Sequence, residues 1–273
     1  MPLDEFRAAN RANWDDRVAI HAQPDGYDSP GFVADTDRLS GVVEFDSRHL
    51  DAAGRTLLHL QCHFGHDTLS WARLGAIVTG VDFSEKAISQ ARRISEESGT
   101  PGRFVLSELY DTPRVLAGET FDIVYTGVGA ICWLPDIVGW GEVVDAMLAP
   151  GGTFYMREGH PVLWSLGWDG PGLTVVYPYF EAGGAVAEDE EATYLGSGSL
   201  QHTRTYSWNH GLAEVMGALT RRGLRIDRFE EHDFLEWKGH DSMVEGEDGR
   251  WRLPEQSRHM VPLMYTLVAS KPA

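Results

Sequence analysis

Residues 55–82, RTLLHLQCHFGHDTLSWARLGAIVTGVD, constrain the fold more than any other stretch of the chain. Leu57, Leu58 and Leu60 make an apolar run short enough for a buried strand, and Gln61 to Gly65 form a loop after it. Leu69, Ala72 and Leu74 then share one side of a helix that Gly75 ends. A second apolar run, 76–81, closes on Asp82. Strand, loop, helix, strand, acid is one βαβ unit with a carboxylate at the tip of its second strand. Asp82 lies about twenty residues past the loop, where nucleoside-binding folds place a ribose-binding acid.

The loop is poor in glycine. A dinucleotide fold uses three glycines so that backbone can press against a pyrophosphate. Here only Gly65 remains, and Gln61 and His63 stand where two others would be. Such side chains argue against a pyrophosphate and are compatible with a nucleoside ligand that has no phosphate.

The rhythm continues downstream. Ser84 is a candidate N-cap for a helix over 85–98 in which Ala87, Ile88, Ala91 and Ile94 are periodic. Arg103 to Ser107 reads as strand three, with Glu108 and Leu109 at its tip, and Phe121 to Tyr125 as strand four, followed by Thr126 and Gly127. A helix to about Leu148, the turn Pro150-Gly151-Gly152 and a strand over 153–157 lead to Glu158-Gly159-His160-Pro161. Further on, a helix over 211–222 with Asn209 as its N-cap, a strand over 224–229 and a last strand over 260–270 complete an α/β pattern.

These residues resemble motif I and the following acidic strand tip of class I S-adenosylmethionine-dependent methyltransferases, in the variant that small-molecule methyltransferases carry. The resemblance runs from about Leu57 to Lys271, with FDIV at 121–124 and LAPGG at 148–152 in the expected order. The chain departs from the wider superfamily at His59, usually Asp or Glu, and at Gln61 and His63, usually Gly. The resemblance implies a Rossmann-like, seven-stranded, mostly parallel sheet with helices on both faces, an antiparallel last strand and an inserted lid after strand five. It implies S-adenosyl-L-methionine as cofactor and S-adenosyl-L-homocysteine as product. By the same resemblance Asp82 binds the ribose, Glu108 and the Leu109 N–H meet the adenine, and the Gln61–Gly65 loop with Thr126 holds the methionine end. Tyr27, Cys62, Thr68, Phe83, Ser84 and Gly127 complete the cofactor candidates. Trp14 is either a cover for the cofactor or a packing residue of a first helix over 4–20.

Ligands of open α/β sheets sit outside the carboxyl ends of the strands, so Glu158 and His160 are candidates for the catalytic environment. Each could instead hold loop backbone. Residues 162–206 break the βα rhythm and are rich in aromatics, among them Trp164, Trp168, Tyr177, Tyr179, Phe180, Tyr194 and Tyr206. With Trp133, the residues Trp164 and Tyr179 are candidates for the acceptor site, and an aromatic lid suits an aromatic, heteroaromatic or amine acceptor. The competing reading is a small subdomain with its own core. Residues 194–206 could be one arm of a hairpin, and 238–257 a polar loop over the site.

The 273 residues suffice for one large domain. The expected organisation is a helical segment over 1–52, a cofactor-binding core over 53–160, the insert over 161–206 and the rest of the core over 207–273. A second helix is expected at 37–52. With 23 basic and 41 acidic residues the formal charge is −18, which disfavours nucleic acid and anionic membranes as partners. Cys62 and Cys132 give no disulfide framework and suit a reducing cytoplasm, and the polar start MPLDEFRAAN is no signal peptide. Glu230–Asp233 and His240–Asp241 match no ligand spacing, so no metal is expected. The expected function is methyl transfer to nitrogen or oxygen of a small molecule. The alternatives are a catalytically inactive binding protein on the same fold and an NAD-dependent oxidoreductase.

Overall fold

The computed structural model describes residues 4–167, 170, 172–181 and 184–273. Trp168 and the first three residues therefore lie outside the described residues. The helices are α1 (Glu5–His21), α2 (Ser29–Ala34), α3 (Gly41–Asp46), α4 (His66–Arg73), α5 (Glu85–Ser98), α6 (Thr112–Val115), α7 (Ile137–Met147) and α8 (Leu212–Thr220). The strands are β1 (Thr56–Leu60), β2 (Ile77–Asp82), β3 (Arg103–Leu106), β4 (Phe121–Thr126), β5 (Leu148–Gly159), β6 (Val186–Asp189), β7 (Arg204–Ser207), β8 (Arg225–His232), β9 (Phe234–Leu235), β10 (Val244–Glu245), β11 (Trp251–Arg252) and β12 (Met264–Ser270).

Seven strands form the main sheet in the order β3-β2-β1-β4-β5-β12-β8. β1 to β5 are parallel to their neighbours, and β12 runs antiparallel between β5 and β8. Helices cover both faces, so the central strands are buried throughout. Alternation along each strand sorts the core. Leu58, Leu60, Val124, Phe154 and Leu267 face α7 and α8, whereas Leu57, Ile123, Tyr125 and Tyr155 face Val43 and Trp71 of α3 and α4.

The helix starts follow local chemistry. Ser84 caps α5 by accepting the Ala87 N–H, Asp136 caps α7 through Gly139, and Gly99 closes α5 in the left-handed conformation at φ 64°. α8 starts at Gly211, whose N–H is taken by Glu214. Asn209 is therefore not its cap; its side chain donates to the carbonyls of Pro161 and Pro178. The second helix is only α3, six residues pinned by a buried charge network. Asp46 there accepts the hydroxyls of Tyr125 and Tyr155 and the Arg157 Nε–H at 2.6 Å.

The insert after β5 contains a hairpin, but its arms are β6 and β7, with residues 190–203 between them. α1 lies against β7. Asn10 both accepts the Tyr206 N–H and donates to the Tyr206 carbonyl, and Asn13 donates to the His202 carbonyl. These asparagines are buried because they complete the edge of the hairpin. Residues 234–252 form a small three-stranded sheet, β10-β11-β9, in place of the polar loop expected there. Among the described residues no helix is long and apolar enough to cross a membrane.

Candidate active site

β1 delivers the chain into the glycine-poor loop. Gln61 and His63 have φ of 56° and 49°, the left-handed region that glycine enters freely and other residues enter at roughly 1–2 kcal/mol each. The loop thus keeps the backbone path of a glycine-rich turn while carrying two side chains. Tertiary contacts hold it. The Gln61 side-chain amide donates to the Ala130 carbonyl at 2.9 Å, and the His63 N–H donates to Asp82 at 2.8 Å. Gly65 is required twice over: its φ is 83°, and a Cβ there would sit 2.6 Å from the Phe104 ring.

The loop opens on a cavity of about 1270 Å³ at the carboxyl ends of β1, β2 and β4. Trp14 and Arg17 of α1, Tyr27, the 190–195 segment of the insert and residues 236–241 wall it. That volume exceeds the roughly 300–1000 Å³ of a pocket for one small ligand. Eight lining carboxylates stand against three cations, Arg17, Arg38 and Lys238. Arg17 and Arg38 are already paired, with Glu190 and Asp28.

Two of those carboxylates are poised groups. Asp82 accepts the N–H groups of His63 and Ser84, yet burial pushes its carboxyl up to about 6. Burial also pushes Asp67 up to about 6, against a hydrogen bond from Ser40. Asp67 Oδ2 and His59 Nε2 converge beside Gly127, 3.4 and 3.2 Å from where a Cβ on that glycine would lie. His59 is held by Thr68 at 2.8 Å, and burial lowers it to about 3, so it is neutral. Burial holds His63 well below its usual range, with His21 adding to the effect. Two buried atoms of the loop lack a partner, Gln61 Oε1 and His63 Nε2. The Gln61 amide already donates to Ala130, which fixes Oε1 as a free acceptor.

Several candidates from the sequence line this cavity: Tyr27, Gln61, Cys62, His63, Gly65, Asp82, Phe83, Gly127, Trp133 and Trp164. Others do not, and each has a structural occupation. Glu158 is fully buried, and its carboxylate accepts the N–H groups of Gly129, Ala130, Ile131 and Gly159 at 2.6–3.0 Å. It shapes the loop after β4 and does not face the cavity. His160 points the other way, accepting the Val162 N–H and lying 3.1 Å from Glu231 of β8. Neither of these two, expected in the catalytic environment, lines the cavity.

Glu108 caps the turn at Tyr110 and pairs with Arg7 of α1 at 3.1 Å, and Leu109 is buried in the core, so neither lines the cavity. Ser84, Thr68 and Thr126 are buried behind the wall, the first as a helix cap and the second as the anchor of His59. Tyr179 packs against Phe180 outside the lining.

Sequence reasoning missed Arg17 and Asp67 as site residues. Arg17 is 2% exposed, donates to Asn13, Thr193 and Glu190, and lies over the rings of Trp14 and Tyr194. Its only sequence signal was a cation on the apolar side of α1. Asp67 sits in the first turn of α4, where an acid reads simply as favourable to the helix dipole.

Residues 57–152 match the family model of a methyltransferase domain. A ubiquinone biosynthesis O-methyltransferase of Xanthomonas axonopodis pv. citri is 30% identical over 154 residues, 56% of this chain and 59% of that protein. Methyltransferase phqN of Penicillium fellutanum is 29% identical over 106 residues, 38% of this chain and 32% of that protein. The chain thus spans about three-fifths or less of the length of these curated relatives. Among solved structures, the CcbJ methyltransferase from Streptomyces caelestis superposes with a TM-score of 0.59 at 16% identity, covering 96% of this chain and 99% of that one. An S-adenosylmethionine-dependent methyltransferase from Mesorhizobium loti gives 0.56 at 20% identity, covering 84% and 98%. These structures share the fold.

Proposed function

We propose, from the methyltransferase domain on residues 57–152 and the class I fold that carries it, that the protein transfers a methyl group from S-adenosylmethionine to nitrogen or oxygen of a small molecule. One observation carries the reading. A strand-tip acid, Asp82, and an orphaned acceptor, Gln61 Oε1, share a cavity large enough for a nucleoside cofactor and a second small molecule.

The residues present fit that cofactor. Asp82 would hold the ribose hydroxyls, each oxygen keeping a lone pair beyond the N–H bond it accepts. Gln61 Oε1 and Asp67 would take the methionine ammonium in place of the acid that His59 replaces. Arg17 has three of its five N–H donors engaged and faces the cavity, so it would take the carboxylate. When bound, the cofactor supplies a methyl group activated by its sulfonium. This chain's residues hold the acceptor in line with that methyl and exclude water. Trp14, Trp133, Tyr27 and Tyr194 are among the aromatic residues of the enclosure.

The excess of carboxylates over cations disfavours an anionic acceptor, and the aromatic wall suits a neutral or cationic ring or amine. The O-methyltransferase relatives favour oxygen. Two unpaired buried cysteines suit a reducing cytoplasm.

Titration calorimetry with S-adenosylmethionine and S-adenosylhomocysteine tests the reading. Asp82→Ala should weaken both by roughly 1.5–3 kcal/mol per lost charged hydrogen bond, about tenfold to a hundredfold. Binding untouched by that substitution would remove Asp82 from the site. No binding by the native protein would remove the cofactor.

A further inference from the structure

Outside the cofactor loop, three groups from two parts of the chain meet: Glu181 of the insert, which lines the cavity, and His210 and Glu214 at the start of α8, which do not. One ligand atom from each lies within 4.8 Å of the others. His210 is 4% exposed, and its Nε2 lies 2.7 Å from the Leu134 carbonyl. A carbonyl only accepts, so Nε2 is the donor in this contact, and Nδ1 is left as the ring's other polar atom. That atom is buried and makes no hydrogen bond. Glu181 Oε2 lies 3.3 Å from it. One oxygen of Glu214 accepts the Gly211 N–H, and its exposed side chain leaves the other oxygen free.

We infer that Glu181, His210 and Glu214 form a divalent-metal site, of the zinc class, that ties the insert to the start of α8. Three features support this. A buried imidazole whose other nitrogen is fixed by a backbone carbonyl is the usual setting of a metal-bound histidine. Two carboxylates brought close to one imidazole gather negative charge that a cation between them would offset. Ligand atoms on a tetrahedral ion with bonds of 2.0–2.2 Å stand about 3.4 Å apart, close to the Nδ1–Oε2 separation. One imidazole and two carboxylates suit Zn²⁺ over the harder Mg²⁺ and Ca²⁺. The site is independent of the methyl-transfer reading. Glu181 also lines the cavity, so an ion here would fix that part of the wall.

The test uses chelator-treated, tag-free, full-length protein titrated with Zn²⁺ alone. One equivalent should bind, and the melting temperature should rise and fall back with chelator. Glu181→Gln and Glu214→Gln, both at accessible positions, should each weaken the affinity at least tenfold while keeping the metal-free melting temperature. Addition of Zn²⁺ should also shift the His210 Nδ1 resonance. Absence of stoichiometric binding, or native affinity in both glutamine variants, would overturn the assignment. The cluster would then be a close approach of His210 and two acids with no ion between them.

Discussion

Replacing Asp67 by asparagine should make the protein more stable and a poorer binder of S-adenosylmethionine. Asp67 is enclosed at the start of α4, and no cation pairs with it at close range among the described residues. Burial raises its carboxyl from 3.8 to about 6, so the folded state binds the proton more tightly than the unfolded chain. The sign follows from that order. The stabilisation is present in full below pH 4, shrinks as pH rises and is gone above about 6. At 1.36 kcal/mol per unit the ionised group costs the fold about 3 kcal/mol at pH 7. Contact with water in the cavity makes this an upper bound. Asparagine keeps an acceptor for Ser40 and carries no charge. Asp67→Asn should therefore gain up to about 3 kcal/mol at pH 7, which corresponds to roughly 5–10 °C in melting temperature. The gap should close as pH falls from 6 to 4. Urea unfolding of both proteins across that range measures it, and calorimetry at pH 7.5 should show cofactor affinity lowered at least tenfold. A variant that is less stable at pH 7, or a gap that does not change with pH, would refute the desolvation argument. Unchanged cofactor affinity would refute the assignment of Asp67 to the ammonium.

Four further outcomes follow from the structure. Glu158→Gln replaces an acceptor of four N–H groups with a side chain that has one accepting oxygen and an opposing NH₂. It should cost about 2–4 kcal/mol by chemical denaturation and weaken cofactor binding through the loop after β4. His160→Ala should leave turnover within about threefold of native, because the ring faces β8; a hundredfold loss in a methyl-transfer assay would return it to the active site. Asp46→Ala leaves the buried Arg157 with Glu236 as its remaining acid and two tyrosine hydroxyls without their acceptor, and should destabilise by about 3–5 kcal/mol, read as a lower denaturation midpoint. Cofactor affinity should fall as pH drops below about 6, because Asp82 then takes up a proton and loses its charged acceptor; a flat profile from pH 8 to 5 would contradict its ribose role.

The βα order was legible because both of its signals are local. Apolar runs with helical or strand period sort residues onto faces regardless of what they meet, and Ser84, Gly99 and Asp136 act within one turn of their own helix. Asp82 was readable for the same reason, since its position follows from where a strand ends. The directions of Glu158 and His160 were not legible, because the rule that ligands gather at strand ends says nothing about which way a side chain points. Glu158 turned inward to four unpaired N–H groups, and His160 turned toward β8. The hairpin was misplaced because the aromatics of 194–206 suggested a strand there, whereas β7 begins at Arg204. The Glu181–His210–Glu214 cluster had no spacing to read, since its members are brought together only by the return of the chain from the insert to α8.

The sequence by itself determined the sheet, the helices on its faces and an acid at the tip of β2, since burial period and capping depend on near neighbours. The tertiary structure alone decided which polar groups face the cavity. A polar side chain goes where its hydrogen bonds can be completed, and Asn10, Arg17, Glu158 and His210 find the partners Tyr206, Glu190, Ala130 and Leu134 at separations of 28 residues or more.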